Sequence, residues 1–179
     1  ARWGKDQSYL VFCKGACRGK SGYNHGKFYA FSKTGTASNV VMFSSSNPNA
    51  GGAKKGWNDM YVMKSKPVLF QGVAKVLAEM AQDTPNDGDR FMQFSEGNTL
   101  TRYYPKRTGN HPIIEDLNRV RCLGAGAAGV GGRTAIHVSM FRWNRKWGMA
   151  IARKLVGLAH SGCNLDIIYG APSRDIRLY

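Results

Sequence analysis

The sequence predicts a mixed α/β protein, with an α+β arrangement as the alternative. Short apolar runs rich in β-branched and aromatic residues alternate along the chain with segments whose apolar residues recur at helical spacing. Near its end the chain reads as strand, helix and strand at residues 135–141, 145–160 and 165–169. A crossover of this length joins parallel strands, so a right-handed βαβ unit is expected there.

The N-terminal region predicts four strands. The apolar run QSYLVFC at residues 7–13 indicates a buried strand, and the glycine-rich stretch that follows indicates a loop. Residues 27–32 and 39–44 are apolar runs joined by a turn-rich connector, which is typical of a hairpin. Residues 59–63 predict a further strand.

The middle of the chain predicts helices, a hairpin and a connector. Pro67 suits the first turn of a helix that residues 83–88 close. A hairpin is expected over residues 90–104 and a short helix over about 112–120. Residues 122–134 are rich in small side chains but lack a dinucleotide-binding or Walker A pattern, so they predict a flexible connector.

The charge predicts an anionic partner. Twenty-six Lys and Arg residues against eleven Asp and Glu give a formal net charge of +15, and the basic residues are scattered rather than gathered in one tail. This favours a folded basic surface that attracts nucleic acid or an anionic membrane, with simple solubility as the alternative. No apolar run has the length of a membrane span, and we expect an exported form to have lost its signal peptide.

The four cysteines predict disulfides in a secreted protein. Their number allows three pairings, and the spacing of the first two fits neither a zinc knuckle nor a thioredoxin motif. We favour Cys13 with Cys17 and Cys122 with Cys163. Two unrelated buried thiols are the alternative for the second pair.

A candidate phosphate site centres on His25 and Lys27. Two residues apart at the entry to a strand, the imidazole and the ammonium are expected on one face. Ser45 and Asn47 follow the partner strand, and Asn58 precedes the next, so all five side chains could meet at one sheet edge. A chance His-x-Lys match and ordinary turn residues are the alternative.

The order of these motifs resembles the phospholipase D superfamily. That family carries an HxKxxxxD motif, a GSxN segment and a later Asn, and the matching positions here are held by His25, Lys27, Ser45, Asn47 and Asn58. Ser32 stands at the aspartate position and Ser44 at the glycine position. In the family the aspartate supports the structure around the site, so the resemblance implies supporting roles for Ser32 and Asn58.

The resemblance also implies a fold and a position within it. The expected architecture is a mixed, largely parallel sheet flanked by helices. Residues 1–63 would end a first half with its HxK motif, residues 64–134 would link the halves, and residues 135–179 would open a second half. A second HxK motif would then come from another chain segment or from a homodimer partner.

The activity that the resemblance implies is metal-independent phosphodiester hydrolysis through a phosphohistidine intermediate. His25 would act as nucleophile or as acid and base, with phosphate held by Lys27, Ser45 and Asn47. We expect no cofactor and no metal, and a phospholipid or another phosphodiester as substrate. A secreted nuclease of the same superfamily is one alternative, and a catalytically incomplete module that binds anionic surfaces is another.

Overall fold

The computed structural model describes residues 2–3, 8–13, 16–84 and 88–177. The chain divides into two compact units, residues 1–108 and 109–179. The boundary falls inside the segment 64–134 that the sequence predicts as a linker. The assignment of residues 1–63 and 135–179 to two halves of a larger fold stays a prediction.

The first unit is built from antiparallel strands and one long helix. Its elements are β1 (Arg2–Trp3), β2 (Ser8–Tyr9), β3 (Phe28–Thr34), β4 (Ala37–Ser44), α1 (Ala50–Lys54), β5 (Met60–Met63), α2 (Pro67–Gln82), β6 (Met92–Glu96) and β7 (Thr99–Tyr103). Strand β4 pairs with both β3 and β5, and β6 pairs with β7. The two predicted hairpins, the strand at 59–63 and the helix beginning at Pro67 are therefore confirmed.

The core of the first unit lies between α2 and the three-stranded sheet. Leu69, Val73 and Val76 form the buried stripe of α2, and they pack with Val41 of β4 and Tyr103 of β7. The spacing of three to four residues puts these side chains on one face of the helix. The apolar pattern that predicts the helix thus also builds the core.

The start of α2 is capped from another element. Glu96 accepts hydrogen bonds at Oε2 from the backbone N–H groups of Val68 and Leu69, at 3.1 and 3.2 Å. These N–H groups have no partner within the helix, and a carboxylate there also meets the positive end of the helix dipole.

The strand predicted over residues 7–13 is too long and is not buried, and its first residue, Gln7, lies outside the described residues. Among the described residues of the segment, Ser8–Tyr9 pair as a strand, whereas Leu10 and Phe12 are 65% and 91% exposed. The apolar composition indicates a strand, but a strand needs a partner along its whole length, and in the described residues the pairing of this segment stops at Tyr9. The disulfide between Cys13 and Cys17 then holds their Cα atoms 5.2 Å apart.

The second unit contains the predicted βαβ motif. Its elements are α3 (Pro112–Leu117), β8 (Leu123–Gly126), β9 (Gly132–Arg133), β10 (Ala135–Trp143), α4 (Arg145–His160), β11 (Asn164–Pro172) and α5 (Arg174–Arg177). Strands β10 and β11 are parallel, with Ala135 opposite Asn164. Helix α4 packs on this pair through Leu155 and Ala152.

Two further expectations for the second unit need correction. Residues 122–134 are not an unstructured connector, because β8 and β9 pair within them as a small antiparallel hairpin. The backbone of this hairpin has positive φ angles at Gly124, Gly126, Gly131 and Gly132, and glycine adopts such angles without a steric penalty. Helix α3 ends at Leu117, earlier than the predicted residue 120.

Mixed α/β character is confirmed, but the sheets are small. Within the described residues the parallel pairing is confined to β10 and β11, and the other sheets are antiparallel. A largely parallel sheet does not form among them. The apolar runs identify strands, whereas their pairing depends on long-range packing that a single sequence pattern does not specify.

Both favoured disulfides are present. Cys13 bonds to Cys17 in the first unit, and Cys122 bonds to Cys163 in the second, where the pair packs against Leu158. Such bonds persist in oxidising compartments. In the described part of the chain, no helix has the length and apolar character needed to span a membrane.

Candidate functional site

His25 and Lys27 lie immediately before β3, at the end of the glycine-rich loop. The carbonyl of Lys27 accepts a hydrogen bond from the N–H of Ser44 at 3.0 Å, which extends the β3–β4 pairing by one residue. Asn24 accepts at Oδ1 from the N–H of Gly26 at 3.1 Å. The backbone on both sides of His25 is thus held, while its side chain is exposed.

The side chains of His25 and Lys27 are in direct contact. Lys27 Nζ lies 2.9 Å from both Nδ1 and Nε2 of His25 and donates to the His25 carbonyl at 3.0 Å. An ammonium has only donors and a neutral imidazole has one acceptor nitrogen, so Lys27 can donate to at most one of the two, the tautomer decides which, and that nitrogen carries a lone pair. A nucleophile or base needs such a lone pair.

This pair lines a strongly cationic cleft of about 580 Å³. Three arginines also line it, and no Asp or Glu is among its lining residues; the arginines are Arg18, Arg102 and Arg107. Aromatic side chains of the core, Phe28 and Phe43 among them, form part of its wall. The cleft therefore suits an anionic group carried on an apolar or planar substituent.

Arg18 connects the glycine-rich loop to the rest of the first unit. It is 5% exposed and donates to the carbonyls of Tyr104, at 2.7 Å, and of Arg90. Its guanidinium also lies 3.4 Å from Glu79, which forms a 2.8 Å ion pair with Arg90. Arg18 therefore anchors the loop more than it offers charge to a ligand.

Ser45 and Asn58 lie close together, as predicted, but their hydrogen bonds stabilise the loop between β4 and β5. Ser45 Oγ accepts from the N–H of Asp59 at 3.0 Å and lies 2.8 Å from Asp59 Oδ1 and 3.2 Å from Asn58 Oδ1. Asn58 Nδ2 donates to the carbonyls of Gly52 and Gly56 at 2.7 and 3.0 Å. These bonds fix the segment between β4 and β5.

Asn47 and Ser32 lie elsewhere. Asn47 lines a separate cleft of about 360 Å³ with Tyr29 and Met60, and Ser44 is the residue that lines both clefts. Ser32 is an exposed residue of β3. The geometry thus unites His25 with Lys27, and Ser45 with Asn58, without placing Asn47 beside the imidazole; the phosphate-binding assignments stay predictions.

Comparison of the chain with protein-family models, with curated proteins and with solved structures finds no match. Function must be inferred from the chemistry of the cleft itself. Among the described residues, no group of three or more His, Cys, Asp or Glu side chains is arranged to hold a metal ion.

Sequence reasoning did not single out Arg102 or Arg107 as site residues. Arg102 belongs to β7 and Arg107 to the loop after it, some 80 residues beyond His25 along the chain. They reach the cleft because the β6–β7 hairpin packs beside α2 and β3. The excess of basic residues was the available signal, and it does not say which of them converge.

Proposed function

We propose that this chain contributes the nucleophilic motif of a metal-independent phosphodiesterase of phospholipase D type, acting on a phospholipid or another phosphodiester. The observation that carries the proposal is the contact of the Lys27 ammonium with the ring of His25, in a cleft that Arg102 and Arg107 also line and whose lining residues include no Asp or Glu. An imidazole lone pair beside concentrated positive charge suits attack on an anionic phosphorus centre.

The proposed reaction has two displacements. A ring nitrogen of His25 attacks phosphorus, and the bond from phosphorus to the leaving alcohol oxygen breaks. That oxygen takes its proton from a second acid, which we assign to the histidine of a second HxK motif in another segment or in a homodimer partner. Water, deprotonated by the same group, then attacks the phosphohistidine, releasing a phosphomonoester and restoring the imidazole.

The remaining site residues have supporting parts in the proposal. Lys27 neutralises charge on the equatorial oxygens as they become more negative. Ser45 and Asn58 keep the segment after β4 in place through their contacts with Asp59 and Gly52. Asn47 lines the neighbouring cleft and Ser32 is exposed on β3, so neither has a direct part in the proposed reaction at His25.

The finer fold assignment belongs to the same proposal. Parallel strands are normally covered on both faces, yet Phe141 of β10 and Ile168 of β11 are 77% and 75% exposed. This supports a larger, phospholipase D-like sheet in which β10 and β11 are interior strands. The two disulfides support a secreted protein.

The decisive experiment measures hydrolysis of bis(p-nitrophenyl) phosphate by the full chain in the presence of a chelator. We expect His25→Ala to lower kcat by more than about 10³-fold, since nucleophile and catalysis are lost together. Lys27→Ala should cost about 10²- to 10³-fold, the usual effect of removing one group that stabilises developing charge. His160→Ala, at an exposed histidine that ends α4, is the matched control and should keep full activity.

Two results would overturn the mechanism: activity that survives in His25→Ala, and activity that chelation abolishes. Absence of turnover at every pH, once a second HxK motif is supplied by another segment or by a homodimer partner, would overturn the enzymatic proposal and leave the anionic-surface binding module as the better account.

A further inference from the structure

An exposed aromatic ring stands beside His25 at the cleft. Tyr23 is 76% exposed and lines the cleft, with its ring centroid 5.7 Å from that of His25 and the two planes at 70°. An edge-on contact covers little of a ring, so most of the Tyr23 surface stays open to solvent. Open aromatic faces of this kind are stacking platforms for nucleobases in proteins that bind single strands.

A guanidinium is held at another part of the same cleft. The Arg107 side chain lies against Gly19, where an added Cβ would come within 3.3 Å of Nη2. The loop that carries it is fixed by Asp89, which accepts a 2.5 Å hydrogen bond from Thr108 Oγ1 and further bonds from the backbone of Arg107 and Thr108. Arg107 is exposed and lines the cleft.

The two features point to a repeating ligand. Binding a single phosphodiester requires one cationic contact, which Lys27 supplies. A planar platform and a separate guanidinium in the same cleft fit a ligand in which rings and phosphates alternate. A lipid headgroup supplies the phosphate but no planar ring for Tyr23.

We propose that the His25 cleft binds single-stranded nucleic acid, with a base stacked on Tyr23 and the adjoining phosphate bound by Arg107. The strand must be single because only an unpaired base can leave its own stack for a protein ring. Binding stands on the geometry of the cleft, whereas cleavage of the strand rests on the proposed function. The net charge of +15 adds a long-range attraction to the same ligand.

The test is the affinity of the full chain for a fluorescein-labelled oligothymidylate, measured by anisotropy over a series of salt concentrations with chelator present. Gel electrophoresis checks that the probe stays intact, and thermal unfolding checks that each variant is folded. Tyr23→Ala should weaken binding by roughly 5- to 100-fold, and Tyr23→Phe, which keeps the ring, should bind like the wild type.

Arg107→Ala should reduce the slope of log affinity against log salt by about 0.7, the value for one lost phosphate contact on a single strand. Lys33→Ala is the matched control. It removes the same charge at the opposite end of β3 from His25, outside the cleft lining, and should leave the slope unchanged.

Wild-type affinity in Tyr23→Ala, or equal slopes for Arg107→Ala and Lys33→Ala, would overturn the inference. The inference would also be overturned if Tyr23→Ala and Arg107→Ala weakened binding to phosphatidylglycerol vesicles more than binding to the oligonucleotide. These two residues would then contact a membrane and not a nucleic acid strand. Turnover of bis(p-nitrophenyl) phosphate is scored separately. Turnover without these binding effects rejects the inference alone, and these binding effects without turnover reject the proposed function alone.

Discussion

Replacing Gly72 with alanine should destabilise the first unit, although alanine is the better helix former. In the interior of α2 the exchange alone gains about 1 kcal/mol. The added Cβ, however, would lie 2.5 Å from Cδ2 and 2.6 Å from Cγ of Phe94. Carbon atoms in contact prefer about 3.5–4.0 Å, so the ring would have to retreat by about 1 Å.

The Phe94 ring has little room for that movement. It packs at 5.9 Å from the ring of Tyr103, which is 5% exposed. Overpacking of a filled core costs typically about 1–3 kcal/mol, and contacts as short as 2.5 Å put this site in the upper part of that range, about 2–3 kcal/mol. Subtracting the helix gain of about 1 kcal/mol leaves an expected net loss of roughly 1–2 kcal/mol. For a unit of this size each kcal/mol lowers Tm by roughly 4–8 °C.

Gly157 offers the matched control. It lies in α4, and a Cβ added there meets nothing within 4 Å. Gly157→Ala should therefore keep or raise stability by up to about 1 kcal/mol. Urea unfolding of both variants measures the difference, and a Gly72→Ala protein as stable as the wild type would refute the reasoning, because Phe94 would then be free to move.

Two further predictions concern cross-links and pH. Replacing both cysteines of a pair with serine should lower the free energy of unfolding by about 4 kcal/mol for Cys122–Cys163 and by about 2 kcal/mol for Cys13–Cys17. The difference arises because the two disulfides close loops of 41 and 4 residues. Equal losses, measured by guanidinium unfolding, would contradict this order. Hydrogen bonds, from the Thr108 side chain above all, lower the pKa of Asp89 below its usual value. Its contribution to stability is therefore present above pH of about 4 and is lost as pH falls through the lowered pKa, so Asp89→Asn should lower Tm at neutral pH, flatten Tm against pH in the acid range, and approach the wild-type Tm at the acid end of that range.

Local patterns predicted the elements of this chain better than their arrangement. Helices α2 and α4 follow from apolar periodicity, and the β3–β4 hairpin from two apolar runs around a turn, because these signals are short-range. The segment at 7–13 has the composition of a strand, but among its described residues the strand pairing covers Ser8–Tyr9 alone. Pairing is a long-range property, and the same limit explains why the sheets are smaller and more antiparallel than expected.

In the candidate site, too, the contacts set by local spacing could be predicted and those set by long-range packing could not. Contact between His25 and Lys27 follows from their spacing at a strand entry, and that of Ser45 with Asn58 from their places at neighbouring strand ends. Asn47 was expected beside them, but the tight turn after Ser44 directs it to another cleft. The part played by Arg107 depends on how a hairpin far along the sequence packs, which the order of residues does not reveal.

The anchoring of Arg18 has a consequence for engineering. Both ends of the glycine-rich loop are fixed by hydrogen bonds to other parts of the first unit. At one end Arg18 donates to the carbonyls of Tyr104 and Arg90, and at the other the Lys27 carbonyl accepts from the N–H of Ser44 in β4. Residues 21–24 are exposed. A combinatorial library at Ser21 and Tyr23, which leaves Gly22 and the Asn24 contact with Gly26 in place, should therefore alter ligand preference while the scaffold tolerates the diversity, making it the natural starting point for directed evolution of the cleft.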